Sequence, residues 1–237
     1  MMVKTEKKIR YSIVIPAYNE ERNLKPLLED IRKTLKDSDY EIILVDDASS
    51  DETPKICDEL AKKDSNTYVI HRRKGVNGMG YALVEGTKMA SGEYVIWVMG
   101  DRSDRLETIK EIVDKLREGY DMVIGSRYMR GGSRGELEIE KAIYGSTYTK
   151  IAKTVFAIEV DDITNAFRGF RKNLIYEVQL KSGDFAVSPE FTIKAKKKGC
   201  RIGQVPTTYF KRRQGQTNFN VLKMGVRYLS LLRLKFT

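Results

Sequence analysis

The chain has 237 residues, 41% of them hydrophobic and 32% charged, a composition that indicates a soluble globular protein of one large or two small domains. Its formal net charge of +10 favours partners that carry phosphate, namely nucleotides, nucleic acids or an anionic membrane face. The single histidine, His71, excludes a metal site built on two histidines, and the two distant cysteines are expected to be free thiols.

Five short apolar runs in the first half of the chain predict buried strands, because most are rich in Ile and Val and show little alternation. These runs are residues 11–16, 41–46, 67–71, 93–99 and 121–126. Helical periodicity lies between them: one helix is predicted to start near Leu24 with Asn23 as its cap, and another covers 109–116. The alternation predicts an open, mostly parallel twisted α/β sheet with flanking helices.

Polar side chains follow the end of every predicted strand. They are Tyr18, Asn19 and Glu20; Asp46 and Asp47; Arg72 and Arg73; Asp101 and Asp104; and Ser126 and Arg127. In open α/β sheets the ligand crevice lies outside the carboxyl ends of the strands. Ordinary solvated loop charges would explain any one of these groups, but not all five, so a binding cleft is predicted at this edge.

Two stretches near this edge suit a nucleotide. Asp46 and Asp47 end a strand, where a carboxylate can accept hydrogen bonds from a base or ribose. The run "GVNGMGYALVEG" matches neither a Walker loop nor a complete dinucleotide fingerprint. Its glycines, Gly78 and Gly80, are predicted to let the start of a helix approach a phosphate closely.

The run "VIWVMGDRSDRLE" contains the candidate metal ligand, Asp101. Mg²⁺ or Mn²⁺ takes oxygen ligands, keeps several waters, and neutralises charge on a departing diphosphate. Met99 stands where the first of two carboxylates would be expected, and a thioether is a poor ligand for a hard cation. We therefore expect metal binding by Asp101 with Ser103 or Asp104 nearby, and with one protein oxygen fewer.

Six segments taken in order resemble the motifs of family 2 inverting glycosyltransferases, in the branch of the dolichol- and polyprenyl-phosphate mannose synthases. The segments are "SIVIPAYNEERNL", "EIILVDDASSDET", "GMGYALVEGTKMASGEYVIWVMGD", "MVIGSRYMRGG", "ITNAFRGFRK" and "EFTIKAKKKGCRIGQVPTTYFKRRQGQT". The resemblance implies a GT-A fold over residues 1–218 and a GDP- or UDP-linked sugar donor.

The resemblance also implies roles at the matching positions. With the glycines above, the nucleotide-sugar site is expected to comprise Pro16, Tyr18, Glu20, Asp46, Asp47, Gly78, Gly80, Gly100 and Asp101. Asp101 matches the second Asp of the family's D-x-D. The acceptor phosphate is expected at Arg127, Arg212, Arg213 and Thr217, although Asn218 replaces the Lys that usually follows this last segment.

A phosphate acceptor agrees with the residue chemistry. A phosphate monoester is already ionised near neutral pH and needs little help from a general base, whereas arginines clamp phosphates through two hydrogen bonds. The expected reaction is in-line displacement with inversion at the anomeric carbon, with the metal on the leaving diphosphate. Asp101, Arg127 and Arg212 are expected to carry it.

The C-terminal stretch 219–237 interleaves apolar residues with lysines and arginines. It contains no uncharged run long enough to span a bilayer, so it is predicted to be an amphipathic helix at the cytoplasmic face of a membrane. The alternative is a terminal helix packed on the core. No signal peptide is expected from the polar, basic first ten residues.

Two other functions stay open at this point. The first is a family 2 transferase with a soluble or polysaccharide acceptor. The second, suggested by Met99, is a nucleotide-sugar-binding protein without turnover. A nucleic-acid partner is not expected, because the basic residues flank carboxylates and form no continuous stripe with stacking aromatics.

Overall fold

The computed structural model describes residues 11–36, 39–212 and 221–236. Within these ranges seven strands form one sheet of order β3-β2-β1-β4-β6-β5-β7. The strands are β1 (Tyr11–Ala17), β2 (Tyr40–Asp46), β3 (Thr67–His71), β4 (Tyr94–Trp97), β5 (Met122–Ser126), β6 (Arg168–Arg171) and β7 (Ile202–Pro206). β6 runs antiparallel to β4 and β5, and the other neighbouring pairs are parallel. The predicted mostly parallel α/β sheet is confirmed.

Helices cover both faces of the sheet. They are α1 (Leu24–Thr34), α2 (Thr53–Lys63), α3 (Met79–Met89), α4 (Thr108–Arg117), α5 (Ile139–Phe156), α6 (Leu174–Val178), α7 (Val187–Lys197) and α8 (Val221–Ser230), and a 3-10 turn follows at Leu231–Lys235. The predicted starting residue of α1 is confirmed, but Asn23 makes no capping bond. Its amide donates instead to Glu20 Oε2 at 2.6 Å, because that carboxylate lies within reach.

The alternation of β1 side chains divides the interior into two layers. Ile13 and Ile15 pack with α1, α2 and α4, whereas Val14 packs on the opposite face with α3 and α7. In that second layer the Trp97 ring lies 5.2 Å from Phe170, and its indole N–H donates to Thr87 at 2.9 Å. Burying side chains of this size stabilises the fold by about 1.5–3 kcal/mol each.

The two strands that the sequence pattern did not predict are β6 and β7. β6 has four residues, two of them arginine, and β7 ends in Pro206 at the edge of the sheet. Gly169 on β6 lets α4 lie close, because a Cβ there would meet Ile112 Cγ2 at 2.4 Å. β6 lies between β4 and β5 in the sheet. The ends of β4 and β5, which border the cleft described below, are therefore one strand apart.

The inner face of α8 packs against α5. Met224 and Tyr228 are buried, as is Leu231 in the 3-10 turn that follows, and the Tyr228 ring lies 4.9 Å from Tyr148. The inner face of α8 therefore packs on the core, as in the alternative given for the C-terminal stretch, and its outer face is exposed. In the described part of the chain, no helix is both long and apolar enough to cross a membrane.

Candidate functional site

A cleft of about 760 Å³ opens at the carboxyl ends of β1, β2, β4 and β5. The residues in its wall that the sequence singled out are Pro16, Tyr18, Glu20, Asp47, Gly78, Met99, Gly100, Asp101, Ser103, Asp104, Arg127 and Arg212. Residues from six separate segments therefore meet in one site, at the edge where the parallel strands end. Arg213 and Thr217 lie outside the described residues.

Arg212 lies between two carboxylates in the wall of the cleft. Its Nη2 donates to Glu20, and its Nη1 is 4.0 Å from Asp101 Oδ2. Burial raises the pKa of Glu20, although hydrogen bonds from Asn23 and the charge of Arg212 oppose the rise. The contact between Glu20 and Arg212 joins the loop after β1 to the segment after β7.

The possible metal ligands are few and bear oxygen. Asp101 Oδ1 accepts the Ser103 N–H at 3.1 Å, and Asp104 Oδ2 accepts the Met99 N–H at 2.8 Å. Burial raises the pKa of Asp104 to about 7, opposed by the Met99 N–H and reinforced by the charge of Asp101. In the described ranges, no cluster of three or more carboxylate, histidine or cysteine groups could hold a metal ion. The donor set fits a hard cation that takes its other ligands from water and a diphosphate.

Asp47 faces the cleft and is held on both oxygens. It accepts hydrogen bonds from Arg72, from Asn77 Nδ2 at 3.0 Å and from the Gly78 N–H at 2.7 Å. Gly78 has a φ of +143°, and a Cβ there would lie 2.3 Å from the Gly183 carbonyl oxygen. Only glycine fits this turn, because it combines positive φ with close backbone contact.

Asp46 and Gly80 lie behind the cleft, and neither is among the described residues of its wall. Asp46 accepts the Ser49 N–H at 3.0 Å and contacts His71 Nδ1 at 3.1 Å. The Gly80 N–H donates to the Gly183 carbonyl at 2.8 Å. Both residues therefore contact other protein groups that support the cleft wall, and neither faces the cleft itself.

Arg127 is held by an acid that the sequence did not single out. Its Nε and Nη2 donate to the two oxygens of buried Asp162 at 2.7 and 2.9 Å, and Nη2 also reaches Thr164 Oγ1 at 3.1 Å. Burial alone would lower the pKa of Arg127, but the charge of Asp162 outweighs it and the pKa is raised. Because Asp162 takes this edge of the guanidinium, a ligand reaches Arg127 through Nη1 unless Asp162 is displaced.

Several further residues of the wall escaped the sequence reasoning. They are Lys74, Asn77, Lys141, Tyr144, Thr164, Asn165, Phe185, Tyr209, Lys223, Met224 and Tyr228. Burial raises the pKa of Tyr209 to about 12, so its phenol stays protonated and can donate. The motif "ITNAFRGFRK" contained Thr164 and Asn165 and was the available signal. Lys223, Met224 and Tyr228 come from α8, so this helix closes one end of the cleft.

Comparison with known protein families identifies a model described as glycosyl transferase family 2, which matches residues 12–179. Dolichol-phosphate mannosyltransferase from Pyrococcus furiosus is 29% identical over 212 residues, covering 88% of this chain and 59% of that protein. Polyprenol monophosphomannose synthase from Mycolicibacterium smegmatis is 26% identical over 234 residues, covering 92% of this chain and 88% of that protein. The chain thus spans less than two thirds of the first of these relatives.

Glucosyl-3-phosphoglycerate synthase from Mycobacterium tuberculosis, solved with UDP, shares the fold. It aligns with a TM-score of 0.71 and 19% identity over 95% of this chain and 79% of that one. Its complex with Mn²⁺, UDP and glucosyl-3-phosphoglycerate aligns with a TM-score of 0.66 and 20% identity over the same shares of the two chains. The expected GT-A fold is confirmed, and at this identity the likeness extends to the fold alone.

His71 lies behind Asp47, outside the cleft, and the pKa of its imidazole reports on the contacts there. Its Nδ1 and Nε2 lie 3.1 Å from Asp46 and from Asp58. Burial alone would lower its pKa, but these hydrogen bonds outweigh burial, so the pKa is raised above 6.5. Because the folded pKa is raised, this pair of contacts stabilises the fold fully below pH 6.5, and the stabilisation is lost as pH rises through the folded pKa.

We expect the imidazole NMR signal of this sole histidine to titrate with a midpoint above 6.5. Asp58→Asn should lower the midpoint, because it removes one carboxylate partner. Glu52→Gln on the neighbouring turn is the control and should leave the midpoint unchanged. A wild-type midpoint at or below 6.5 would contradict the hydrogen bonds of His71 to Asp46 and Asp58.

Proposed function

The chain belongs to glycosyl transferase family 2, and from this premise we propose that it transfers a sugar, with inversion, from a nucleotide-diphosphate sugar to a polyprenyl phosphate. One observation carries the proposal: carboxylates suited to a metal–diphosphate and arginines suited to a second phosphate meet in the same cleft. The two relatives whose names refer to dolichol phosphate and polyprenol support the lipid acceptor.

The donor occupies the end of the cleft formed by β1, β2 and β4. Asp47 and Asn77 face the base and ribose, with Tyr18 beside them in the wall. The diphosphate lies towards Asp101, near Gly100, where a Cβ would come within 2.7 Å of the Pro16 carbonyl oxygen. Asp46 acts indirectly, because it fixes the end of β2 through Ser49 and His71.

Asp101 would hold Mg²⁺ or Mn²⁺, with Asp104 or Ser103 supplying a further oxygen directly or through water. The ion, when bound, neutralises the charge that develops on the leaving diphosphate. The Mn²⁺ in the complex of glucosyl-3-phosphoglycerate synthase supports this choice of ion. Arg212 also faces this diphosphate, because its guanidinium lies beside Asp101.

The acceptor phosphate lies towards Arg127 and Arg212, with Lys141 and Lys223 adding positive charge to the wall. Arg213 and Thr217 extend this group in our proposal. The arginines orient the phosphate oxygen for in-line attack on the anomeric carbon. The apolar side chains at this end, Leu137, Tyr144, Phe185, Met224 and Tyr228, suit the first units of a hydrocarbon chain.

A membrane surface is the proposed source of the acceptor. Val226 and Leu229 on the outer face of α8 are 67% and 55% exposed, and Phe236 is 89% exposed. Ile139 and Ile143 on the adjoining helix α5 are exposed as well. Arg227, Arg233 and Lys235 accompany this apolar face, as expected for contact with anionic headgroups. We place the protein at the cytoplasmic face of that membrane.

A second candidate is a family 2 transferase whose acceptor is a hydroxyl group. One observation favours it: the pKa of Asp104 is raised to about 7, which suits a general base at neutral pH. A hydroxyl acceptor needs such a base, whereas a phosphate acceptor does not. The nature of the attacking oxygen therefore separates the two candidates.

To test the acceptor, the protein is given a labelled GDP- or UDP-sugar with either a short polyprenyl phosphate or the matching polyprenyl alcohol. We expect transfer to the phosphate at least 100-fold faster, because its oxygen is already ionised. Transfer to the alcohol at a comparable rate, dependent on Asp104, would contradict the phosphate acceptor and favour the second candidate.

For the metal, Asp101→Ala should abolish Mn²⁺-dependent turnover. Met99→Asp should tighten Mn²⁺ binding about tenfold, since it adds a carboxylate two residues from Asp101; Met99→Leu is the matched control and should not. Calorimetry with Mn²⁺ and UDP or GDP measures the affinity. Full activity of Asp101→Ala would move the metal to Asp104 or exclude it.

For the membrane, we expect the protein to bind vesicles of phosphatidylglycerol, and the affinity should fall as salt rises because lipid charge is screened. Leu229→Glu should weaken binding at least fivefold, since it places charge in the apolar face. Tyr68→Glu, on edge strand β3, is a control at another exposed hydrophobic side chain and should bind as the wild type does. Equal binding by both variants would exclude the α8 surface.

A further inference from the structure

Arg168 on β6 is a buried cation that has no carboxylate partner in the part of the chain that the structure describes. Its exposure is 0%, and no acid in the described ranges forms an ion pair with it. Its Nε is buried and has no hydrogen-bond partner among these residues. Burial lowers the pKa of Arg168 to about 9, although the charge of Asp162 opposes the shift. Such a group is costly to bury, so its contacts need a physical reason.

The guanidinium joins two segments of backbone. Nη2 donates to the carbonyls of Ile163, at 3.1 Å, and Asn165. Nη1 donates to the Ser188 carbonyl at 2.8 Å and to Thr192 Oγ1 at 2.9 Å on α7. A planar fork with several N–H donors can gather these acceptors, whereas an ammonium cannot reproduce the arrangement.

The segment gathered in this way, residues 162–166, carries the contacts that orient Arg127. Asp162 accepts hydrogen bonds from the backbone N–H, Nε and Nη2 of Arg127, and Thr164 accepts a further one from Nη2. Thr164 and Asn165 also face the cleft, and Asn165 Nδ2 is anchored on the Gly125 carbonyl at 2.7 Å. Arg168 therefore fixes the backbone carbonyls of Ile163 and Asn165, on either side of Thr164, from the buried side of this segment.

We propose that Arg168 is a positioning residue of the acceptor end: acting through segment 162–166, it fixes the orientation of the Arg127 guanidinium towards the acceptor phosphate. The inference rests on the proposed function, in which Arg127 contacts that phosphate. Arg168 itself touches no substrate, since it is completely buried and is not in the described wall of the cleft.

The test compares Arg168→Lys and Arg168→Met with Arg171→Met. Arg171 lies three residues further along β6 in an ion pair with Asp121 and Glu177, away from the cleft, and is the matched control. In the Arg168 variants we expect KM for polyprenyl phosphate to rise at least tenfold while KM for the donor changes less than twofold. The double variant Arg127→Lys with Arg168→Lys should be no more than threefold worse than Arg127→Lys alone, because both act at one point.

A second measurement does not depend on activity. The Nε–H NMR signal of Arg127, assigned by its loss in Arg127→Lys, should shift in Arg168→Lys and stay in place in Arg171→Met. If the Arg168 variants do not fold, Thr192→Val, which removes one acceptor, should shift the same signal. An unchanged Arg127 signal in a folded variant, or multiplicative losses in the double variant, would overturn the inference. Absence of wild-type transfer to polyprenyl phosphate would overturn the proposed function instead, and the NMR signal would still decide whether Arg168 orients Arg127.

Discussion

Parallel pairing of β1 with both of its neighbours is the constraint on which the cleft depends. Tyr11 aligns with Tyr40 on β2 and with Tyr94 on β4, and Ala17 aligns with Asp46. Gly100, beyond the end of β4, stays beside β1, because a Cβ on it would lie 2.7 Å from the Pro16 carbonyl oxygen. Three chain segments far apart in sequence therefore end at the same edge of the sheet, and the residues that follow them line the cleft. A slip of one residue would turn each side chain to the opposite face of the sheet.

The charges around the cleft are arranged as acid–arginine contacts between different elements. Asp47 contacts Arg72, Asp162 contacts Arg127, and Glu20 contacts Arg212. In each case a residue next to a strand end meets a partner at least 25 positions away. The desolvation of both charges offsets most of their attraction, so an intact buried pair adds little net stability, whereas removing one member leaves an uncompensated charge and costs about 3–5 kcal/mol. A diphosphate and its metal would enter a site whose carboxylates are already oriented.

The sequence was sufficient for the mostly parallel α/β sheet and for the part of the cleft wall that follows the strand ends, because strand ends and the polar residues after them are local patterns. It could not separate Asp46 from Asp47: neighbouring side chains at a strand end point to opposite faces, and only the packed sheet shows which one faces the cleft. It also missed Asp162, which meets Arg127 from 35 positions away, and β6, whose arginines do not read as a buried strand. Both depend on tertiary contacts that leave no local signal.

The proposed reaction requires that a divalent ion and a nucleotide diphosphate bind together beside Asp101. The Met99 methyl group is a suitable reporter, because it lies in the wall of the cleft two residues from that carboxylate, whereas the exposed Met89 ends α3 outside the wall. The measurement is the methyl NMR spectrum of the protein with Mn²⁺ and UDP or GDP. We predict selective paramagnetic broadening of the Met99 methyl signal over the Met89 methyl signal, and we expect this broadening to be lost in Asp101→Ala. Equal broadening of both methyl groups, or broadening of Met99 that persists in Asp101→Ala, would contradict it.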